Sequence, residues 1–224
     1  MGSSYDAFSD RRVPWHEWRV SVGRTTPIGP IRFTGSRADR FALQDEQVEI
    51  EASPRFGPGT SATLSAAYSP DAVLYPNHRS AADLHQRIGA GFEASAGFRR
   101  IVFGRGVNVY AASLSKYAGP WLFSGRAFVA PSSEGPSRSY EGSFRRYFGG
   151  AGTFVGLRYS QGGWREELRD RRDLAVIDSN VGAAEATFIV GRVEINVTGA
   201  YTREESAQRR VRQGSLSTGL GVRF

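Results

Sequence analysis

Leu216-Ser-Thr-Gly-Leu-Gly-Val-Arg-Phe224, at the end of the chain, is the stretch of sequence that decides the fold. The side chains of a β-strand alternate between its two faces. One face of this segment therefore carries mostly apolar side chains, at Leu216, Thr218, Leu220, Val222 and Phe224. The opposite face carries a serine, two glycines and Arg223. The alternation predicts a long strand with one apolar face, and the chain stops on an aromatic residue.

The same alternation recurs along most of the chain. It is present in residues 47–52, 61–68, 87–99, 121–129, 151–160 and 193–201. The predicted strands are long, whereas strands of soluble sheets most often have about 5–6 residues. A tilted strand needs about 9–11 residues to cross a bilayer. Helical spacing is not sustained over any comparable stretch. The sequence therefore predicts an all-β fold, an antiparallel transmembrane β-barrel.

The composition agrees with a single barrel domain. A length of 224 residues suits one β domain. No run of 18 apolar residues is present, which excludes transmembrane helices. A barrel is still allowed, because its inward residues are polar and dilute the hydropathy. With no cysteine, the chain offers no disulfide framework and no thiol chemistry.

About twelve strands are predicted. They cover residues 14–24, 27–35, 40–56, 60–69, 84–99, 104–117, 120–131, 136–149, 151–162, 174–190, 192–203 and 209–224. In bacterial barrels, long loops face outside and short turns face the periplasm. Residues 70–83, with Pro70 and Pro76, break this rule because a long segment falls on the short-turn side. Either that turn is unusual or the count is wrong by one hairpin.

The predicted barrel also leads to expectations about the domain boundaries and the location of the protein. Residues 13–224 are expected to form one outer-membrane barrel. Residues 1–12 are expected to be disordered, or to lie inside the barrel or in the periplasm, and Met1-Gly-Ser-Ser4 looks like a remnant of an expression vector. No signal peptide is visible in this sequence. A final strand of this type is also expected to signal to the barrel assembly machinery through Leu220, Val222 and Phe224.

Several short motifs resemble the YaiO family of outer-membrane β-barrels. They include Glu49-Ile-Glu-Ala-Ser-Pro54, Gly91-Phe-Glu-Ala-Ser-Ala-Gly-Phe-Arg99, Ser115-Lys-Tyr-Ala-Gly119 and Ser143-Phe-Arg-Arg-Tyr-Phe148. Their order and spacing carry the resemblance, which extends from about Trp15 to Phe224. It implies a location in the outer membrane of a Gram-negative bacterium. It implies no defined reaction, because the family is defined by its barrel.

The charged strand residues are the candidate functional site. An Arg or Lys facing hydrocarbon at the bilayer midplane costs about 2–4 kcal/mol, so charged side chains should face the lumen. The local alternation around Lys116 and Arg145 is ambiguous. The predicted lumen-lining residues are Arg87, Glu93, Arg99, Lys116, Arg126, Arg145, Arg158, Glu194 and Arg223.

Two functions follow from this interior. If the arginines leave an open, basic lumen, the barrel is a narrow pore for anionic solutes such as acidic saccharides. If the charges pair, the barrel is plugged and serves as a scaffold for envelope or polysaccharide machinery. The net charge of +7 comes from scattered arginines, which favours a charged lumen and contacts with outer-membrane lipid and lipopolysaccharide over nucleic acid.

An interfacial lipid-modifying enzyme is a third hypothesis. It would need an activated nucleophile beside a base. His85 or His78 could supply the base, but no Gly-x-Ser-x-Gly motif is present. No catalytic residue is therefore assigned. The sequence also has no metal-ligand spacing, so no metal and no cofactor are expected.

Overall fold

The computed structural model describes residues 1–9, 14–40, 42–132, 135–149, 152–163, 178–205 and 210–222. Within these residues the chain forms fourteen antiparallel strands that close into one barrel, each paired with its neighbours in sequence and β1 with β14. The strands are β1 Gly2–Phe8, β2 Trp15–Thr26, β3 Gly29–Arg40, β4 Leu43–Ala52, β5 Thr60–Tyr68, β6 His78–Gly89, β7 Phe92–Phe103, β8 Arg105–Ala118, β9 Trp121–Ala130, β10 Ser137–Tyr147, β11 Phe154–Gly163, β12 Asp178–Val190, β13 Val193–Glu205 and β14 Arg210–Val222.

The barrel has two strands more than the sequence predicted. One comes from the segment 84–99, which the alternation predicts as one strand but which contains the turn between β6 and β7. This turn consists of Ala90 and Gly91, with φ angles of 49° and 78°. Such left-handed angles at both central positions are typical of tight hairpin turns. The twelve-strand prediction is therefore wrong, although the all-β antiparallel barrel is confirmed.

The other additional strand is β1, which lies in the segment expected outside the barrel. Gly2–Phe8 pairs with β14 on one side, and Gly2–Asp6 pairs with β2 on the other. The Met1 ammonium group donates to the Leu220 carbonyl at 2.7 Å, and the Leu220 amide donates to the Met1 carbonyl at 2.8 Å. Residues 2–8 are thus part of the barrel wall, which corrects the predicted domain boundary.

The two ends of the barrel differ in their connections. Met1 and the end of β14 lie at one end, here called the terminal end, with the two-residue turns 27–28, 90–91, 119–120 and 191–192 and the longer connection 53–59. The opposite end, here called the loop end, carries the connections 69–77 and 131–136. With fourteen strands, the segment 69–77 lies on the side of the long loops. The anomaly at 70–83 in the sequence prediction therefore came from the missed hairpin.

Ion pairs between distant strands identify the inner face of the barrel. Arg126 of β9 and Asp83 of β6 are in contact although two strands lie between them. Neighbouring strands are about 4.8 Å apart, so these side chains start about 14 Å apart along the wall and can meet only where they converge, on the concave face. The opposite face carries the large exposed apolar side chains, such as Val22 and Val190.

The outer face has the pattern of a membrane-spanning surface. Exposed aromatic side chains form a girdle towards the loop end, at Trp18, Tyr68, Tyr110, Tyr140, Tyr159 and Tyr201. Aromatic girdles of this kind mark the bilayer interface of outer-membrane barrels. In the part of the chain that the structure describes, no helix has the length and apolarity needed to span a membrane.

Candidate functional site

A single row of inward residues runs across seven neighbouring strands, from β8 to β14. Strand register joins each member of the row to the next. A cavity of about 1220 Å³ lies against it. All members are small except one arginine, and the row reads Ser115, Ser124, Ser143, Arg158, Ala183, Ala200 and Ser215. The small side chains leave the lumen open along this wall.

Arg158 is the charged residue of this row, and its side chain faces into the barrel. It lies in β11 between Leu157 and Tyr159, whose exposed side chains belong to the outer face. Arg158 is itself exposed, and its strand partners are Ser143 and Ala183. Within the described residues, no carboxylate pairs with its guanidinium. A planar group of five N–H donors without an acid partner is suited to bind carboxylate or phosphate in a water-filled space.

Most of the sequence-predicted lumen residues lie on the inner face, at Arg87, Glu93, Arg99, Arg126, Arg145, Arg158 and Glu194. Lys116 does not. It pairs with Phe92 and Phe123, and its ammonium group lies 4.0 Å from the centre of the Phe92 ring. The same group donates to the Ala90 carbonyl in the β6–β7 turn. Lys116 therefore faces outward and reaches towards the terminal end, which corrects its predicted place in the lumen.

Two of the predicted residues fall outside the described part of the chain. These are Arg223 and Phe224. Leu220 and Val222, the other two members of the predicted assembly signal, lie exposed on the outer face of β14. Their role as a signal stays a prediction.

The acids that pair with the inward arginines are not among the residues predicted from the sequence. Glu185 accepts from Arg145 at 2.6 Å, Asp83 pairs with Arg126, and Glu49 pairs with Arg79. Each pair crosses at least one intervening strand. The sequence pattern predicts a connection over residues 70–83 and therefore does not place Asp83 on a strand. The alternation of Asp83 with the exposed Ala82 and Leu84 in β6 was the available signal.

Glycines make room for two of these ion pairs. A Cβ atom on Gly97 would overlap the Asp83 carboxylate and lie 3.4 Å from Arg126 Nη2. A Cβ atom on Gly156 would lie 2.9 Å from Arg145 Cγ and 3.1 Å from Glu185 Oε1. The ion pairs therefore pass directly over a backbone without side chains. This is a packing reason for glycine in strands where it otherwise weakens pairing.

Replacing Gly97 with valine is expected to break the Arg126–Asp83 pair. The new side chain displaces the Asp83 carboxylate, and separating a half-buried pair with overpacking costs about 2–4 kcal/mol. Unfolding by urea in detergent micelles measures the change. Gly125→Val is the matched control, because a Cβ atom there meets nothing within 4 Å. Equal stability of the two variants would contradict the role of Gly97.

The connection 69–77 is fixed to the inner wall at the loop end by one carboxylate. Asp45 of β4 is 2% exposed, and Ser69 is fully buried. The amides of Val73, Leu74 and Tyr75 donate to Asp45 Oδ2 at 2.9, 2.7 and 2.8 Å. The Ser69 hydroxyl and the Glu46 amide donate to Oδ1 at 2.6 and 2.8 Å. Leu74 and Tyr75 then pack with Ala38 in a small buried cluster. The segment therefore occupies part of the barrel mouth.

The histidines of the enzyme hypothesis lie on opposite faces. His78 faces outward with its ring 5.2 Å from that of Tyr68. His85 faces inward, with Nε2 at 3.3 Å from the Thr63 hydroxyl and Nδ1 at 3.9 Å from Glu93 Oε1. The second distance is longer than a hydrogen bond. Within the described residues, no group of three or more side chains suited to a metal ion comes together.

Comparison with known families identifies a family to which the chain is similar. The family model described as the YaiO membrane beta barrel domain matches residues 1–167. The match includes β1 and ends between β11 and β12, whereas the sequence analysis expected the resemblance from about Trp15 to Phe224. No curated protein matches the chain.

Solved structures of outer-membrane barrels share the fold. The Acinetobacter baumannii outer membrane protein Omp33 has a TM-score of 0.60 at 10% identity, and the alignment covers 100% of this chain and 96% of that one. A bacterial polysaccharide outer membrane secretin has a TM-score of 0.57 at 6% identity, covering 94% and 81%. The anion-selective porin from Comamonas acidovorans has a TM-score of 0.53 at 10% identity, covering 99% and 97%. At these identities the comparison establishes the barrel architecture.

Proposed function

Because this chain belongs to the YaiO family of membrane β-barrels of the bacterial outer membrane, we propose that it forms a narrow pore favouring small anionic solutes or acidic saccharides. The observation that carries this proposal is the cavity of about 1220 Å³ beside Arg158, which has no acid partner among the described residues. The hydroxyls of Ser115, Ser124 and Ser143 lie along the same wall. A guanidinium beside hydroxyls suits a solute that carries both a carboxylate and sugar hydroxyls.

Ion preference in this pore depends on the arginines without acid partners rather than on the net charge of the chain. Arg79, Arg126 and Arg145 are neutralised by Glu49, Asp83 and Glu185. An ion pair exerts little electric field on a solute at a distance, because its two opposite charges nearly cancel. Arg158 is not cancelled in this way, and rings or clusters of basic side chains favour anions in pores. The fold is compatible with such a role, since one structural neighbour is an anion-selective porin.

Conductance in a planar bilayer tests the proposal. With a salt gradient across the membrane, wild-type protein is expected to give discrete single-channel currents and a reversal potential of the sign for anion preference. Cation preference would contradict the proposed role of Arg158.

A non-conducting scaffold is the second candidate function. The interior ion pairs and the segment 69–77 in the barrel mouth favour it, because both fill space that a solute would use. In that case the same bilayer experiment gives no channel current with correctly folded protein. A shift in gel migration on heating establishes the folded state of the inserted material.

A further inference from the structure

Two arginines lie directly opposite each other on the outer face of the barrel near the loop end. Arg203 of β13 and Arg212 of β14 are register partners, and both are exposed. Side chains in such cross-strand pairs are about 4.5–5.5 Å apart at Cβ, and like charges placed there repel each other. A shared anion between the two guanidinium groups would turn this repulsion into attraction.

Acidic neighbours in the described part of the chain only partly neutralise this pair. Glu205 Oε2 is 3.4 Å from Arg203 Nη2, while Oε1 of the same residue accepts from Arg210 at 2.5 Å. Arg212 has no carboxylate partner among the described residues. Among the side chains that the structure describes, Arg203 and Arg210 therefore share the Glu205 carboxylate and Arg212 pairs with none, so this group keeps a positive charge.

Neutral donors extend the same outward row. Asn180 is the strand partner of Arg203, and Gln161 is the partner of Asn180. The Tyr159 hydroxyl donates to Asn180 Oδ1 at 2.8 Å. Because this bond occupies the amide oxygen, the Asn180 NH₂ group is left as a donor. The row Gln161, Asn180, Arg203 and Arg212 is here called the donor row.

The donor row lies immediately beyond the aromatic girdle. Tyr201 precedes Arg203 by two residues on the same face, and Tyr159 precedes Gln161 in the same way. A molecule at the row would therefore place its polar part on guanidinium and amide groups and its acyl chains against tyrosine and the apolar wall. In outer-membrane barrels the longer loops are extracellular, which places the row in the outer leaflet.

We propose that the donor row binds the phosphate of a phosphorylated glycolipid in the outer leaflet. The paired guanidinium groups bind one phosphate between them, since arginine forms bidentate charge-assisted bonds with phosphate. The amide groups of Asn180 and Gln161 donate to sugar or acyl oxygens beside that phosphate. Its position on the outer face separates this contact from the lumen and from any transported solute.

Native mass spectrometry of the purified barrel with bisphosphoryl lipid A tests the assignment. The variant R203A/R212A is expected to bind lipid A about thirtyfold more weakly than wild type, because each basic side chain near an anionic surface contributes about a factor of five. The variant R203K/R212K keeps both charges and is expected to lose less. The variant R24A/R192A, which removes two exposed arginines at the terminal end, is the matched control and is expected to bind as wild type.

Three results would overturn the proposal. The first is wild-type affinity of R203A/R212A for lipid A in protein that shows the normal heat-modifiable migration. The second is an equal loss in R24A/R192A, which would mean that charge alone, at either end, attracts the lipid. The third is displacement of lipid A by inorganic phosphate at similar concentration, which would assign the arginine pair to a free anion. All variants are expected to bind the same number of phosphatidylcholine molecules as wild type, because that headgroup carries no net charge.

Discussion

Replacement of Asp45 with alanine is expected to release residues 69–77 from the barrel mouth and to raise the single-channel conductance. The change removes the acceptor of five hydrogen bonds, three of them from consecutive amides of the segment. Hydrogen bonds to a charged group are worth about 1.5–3 kcal/mol each, so the attached state loses several kcal/mol. The strands of the wall keep their pairing, because the segment connects β5 and β6 outside their ladder.

Chymotrypsin cleavage gives an independent readout of the release. Tyr75 is 8% exposed and Leu74 is 3% exposed in the attached segment, so both are protected from the protease. In Asp45→Ala, cleavage after these residues is expected along with the larger current. Asp39→Ala is the matched control, because Asp39 is an outward acid at the same end and, among the described residues, accepts a side-chain hydrogen bond only from Gln44. Unchanged conductance and continued protection in Asp45→Ala would disprove the anchoring role.

Substitution of Arg158 is expected to change the ion preference of the pore more than any other single charge. A unit charge about 4 Å from a permeating ion contributes about 1 kcal/mol in water, with opposite sign for anions and cations. The two contributions differ by about 2 kcal/mol, so Arg158→Gln should lower the anion-to-cation permeability ratio roughly thirtyfold. Arg158→Glu should lower it further and give cation preference. The reversal potential in a salt gradient measures both changes.

Lys116→Gln provides the control for this series. It removes one positive charge from a neighbouring part of the wall, but its side chain lies on the outer face against Phe92. The reversal potential is expected to stay at the wild-type value. If Lys116→Gln and Arg158→Gln shift the potential equally, the selectivity arises from the general field of the barrel and Arg158 has no special role.

The barrel itself could be predicted from the sequence, whereas the number of strands could not. The alternation of apolar and polar residues is not interrupted by a two-residue turn, because Ile88 before the turn and Phe92 after it both face outward. The pattern therefore continues through Ala90 and Gly91 without a break, so it predicts one strand where the structure has β6 and β7. The only local sign of the turn was the pair of glycines on either side of Ala90.

The inward or outward direction of a site residue could be predicted only where its neighbours in sequence are clearly apolar. Arg158 lies between two large apolar side chains, so its inward direction followed from the sequence. Lys116 lies between Ser115 and Tyr117, and neither neighbour fixes which face is apolar. The acids that pair with the inward arginines could not be predicted from alternation, for a different reason. Asp83 and Arg126 are 43 residues apart and meet only because the sheet curves.

The pairing of β1 with β14 also determines how the wall can be assembled. Seven residue pairs join the two strands from Gly2 to Phe8. Removing β1 would leave an unpaired row of amides and carbonyls on both β2 and β14. Hydrocarbon offers these groups no hydrogen-bond partner, so a sheet with such open edges is not stable inside a bilayer. Strands β2 to β14 alone therefore do not make a closed wall, and β1 closes it by pairing with both β2 and β14.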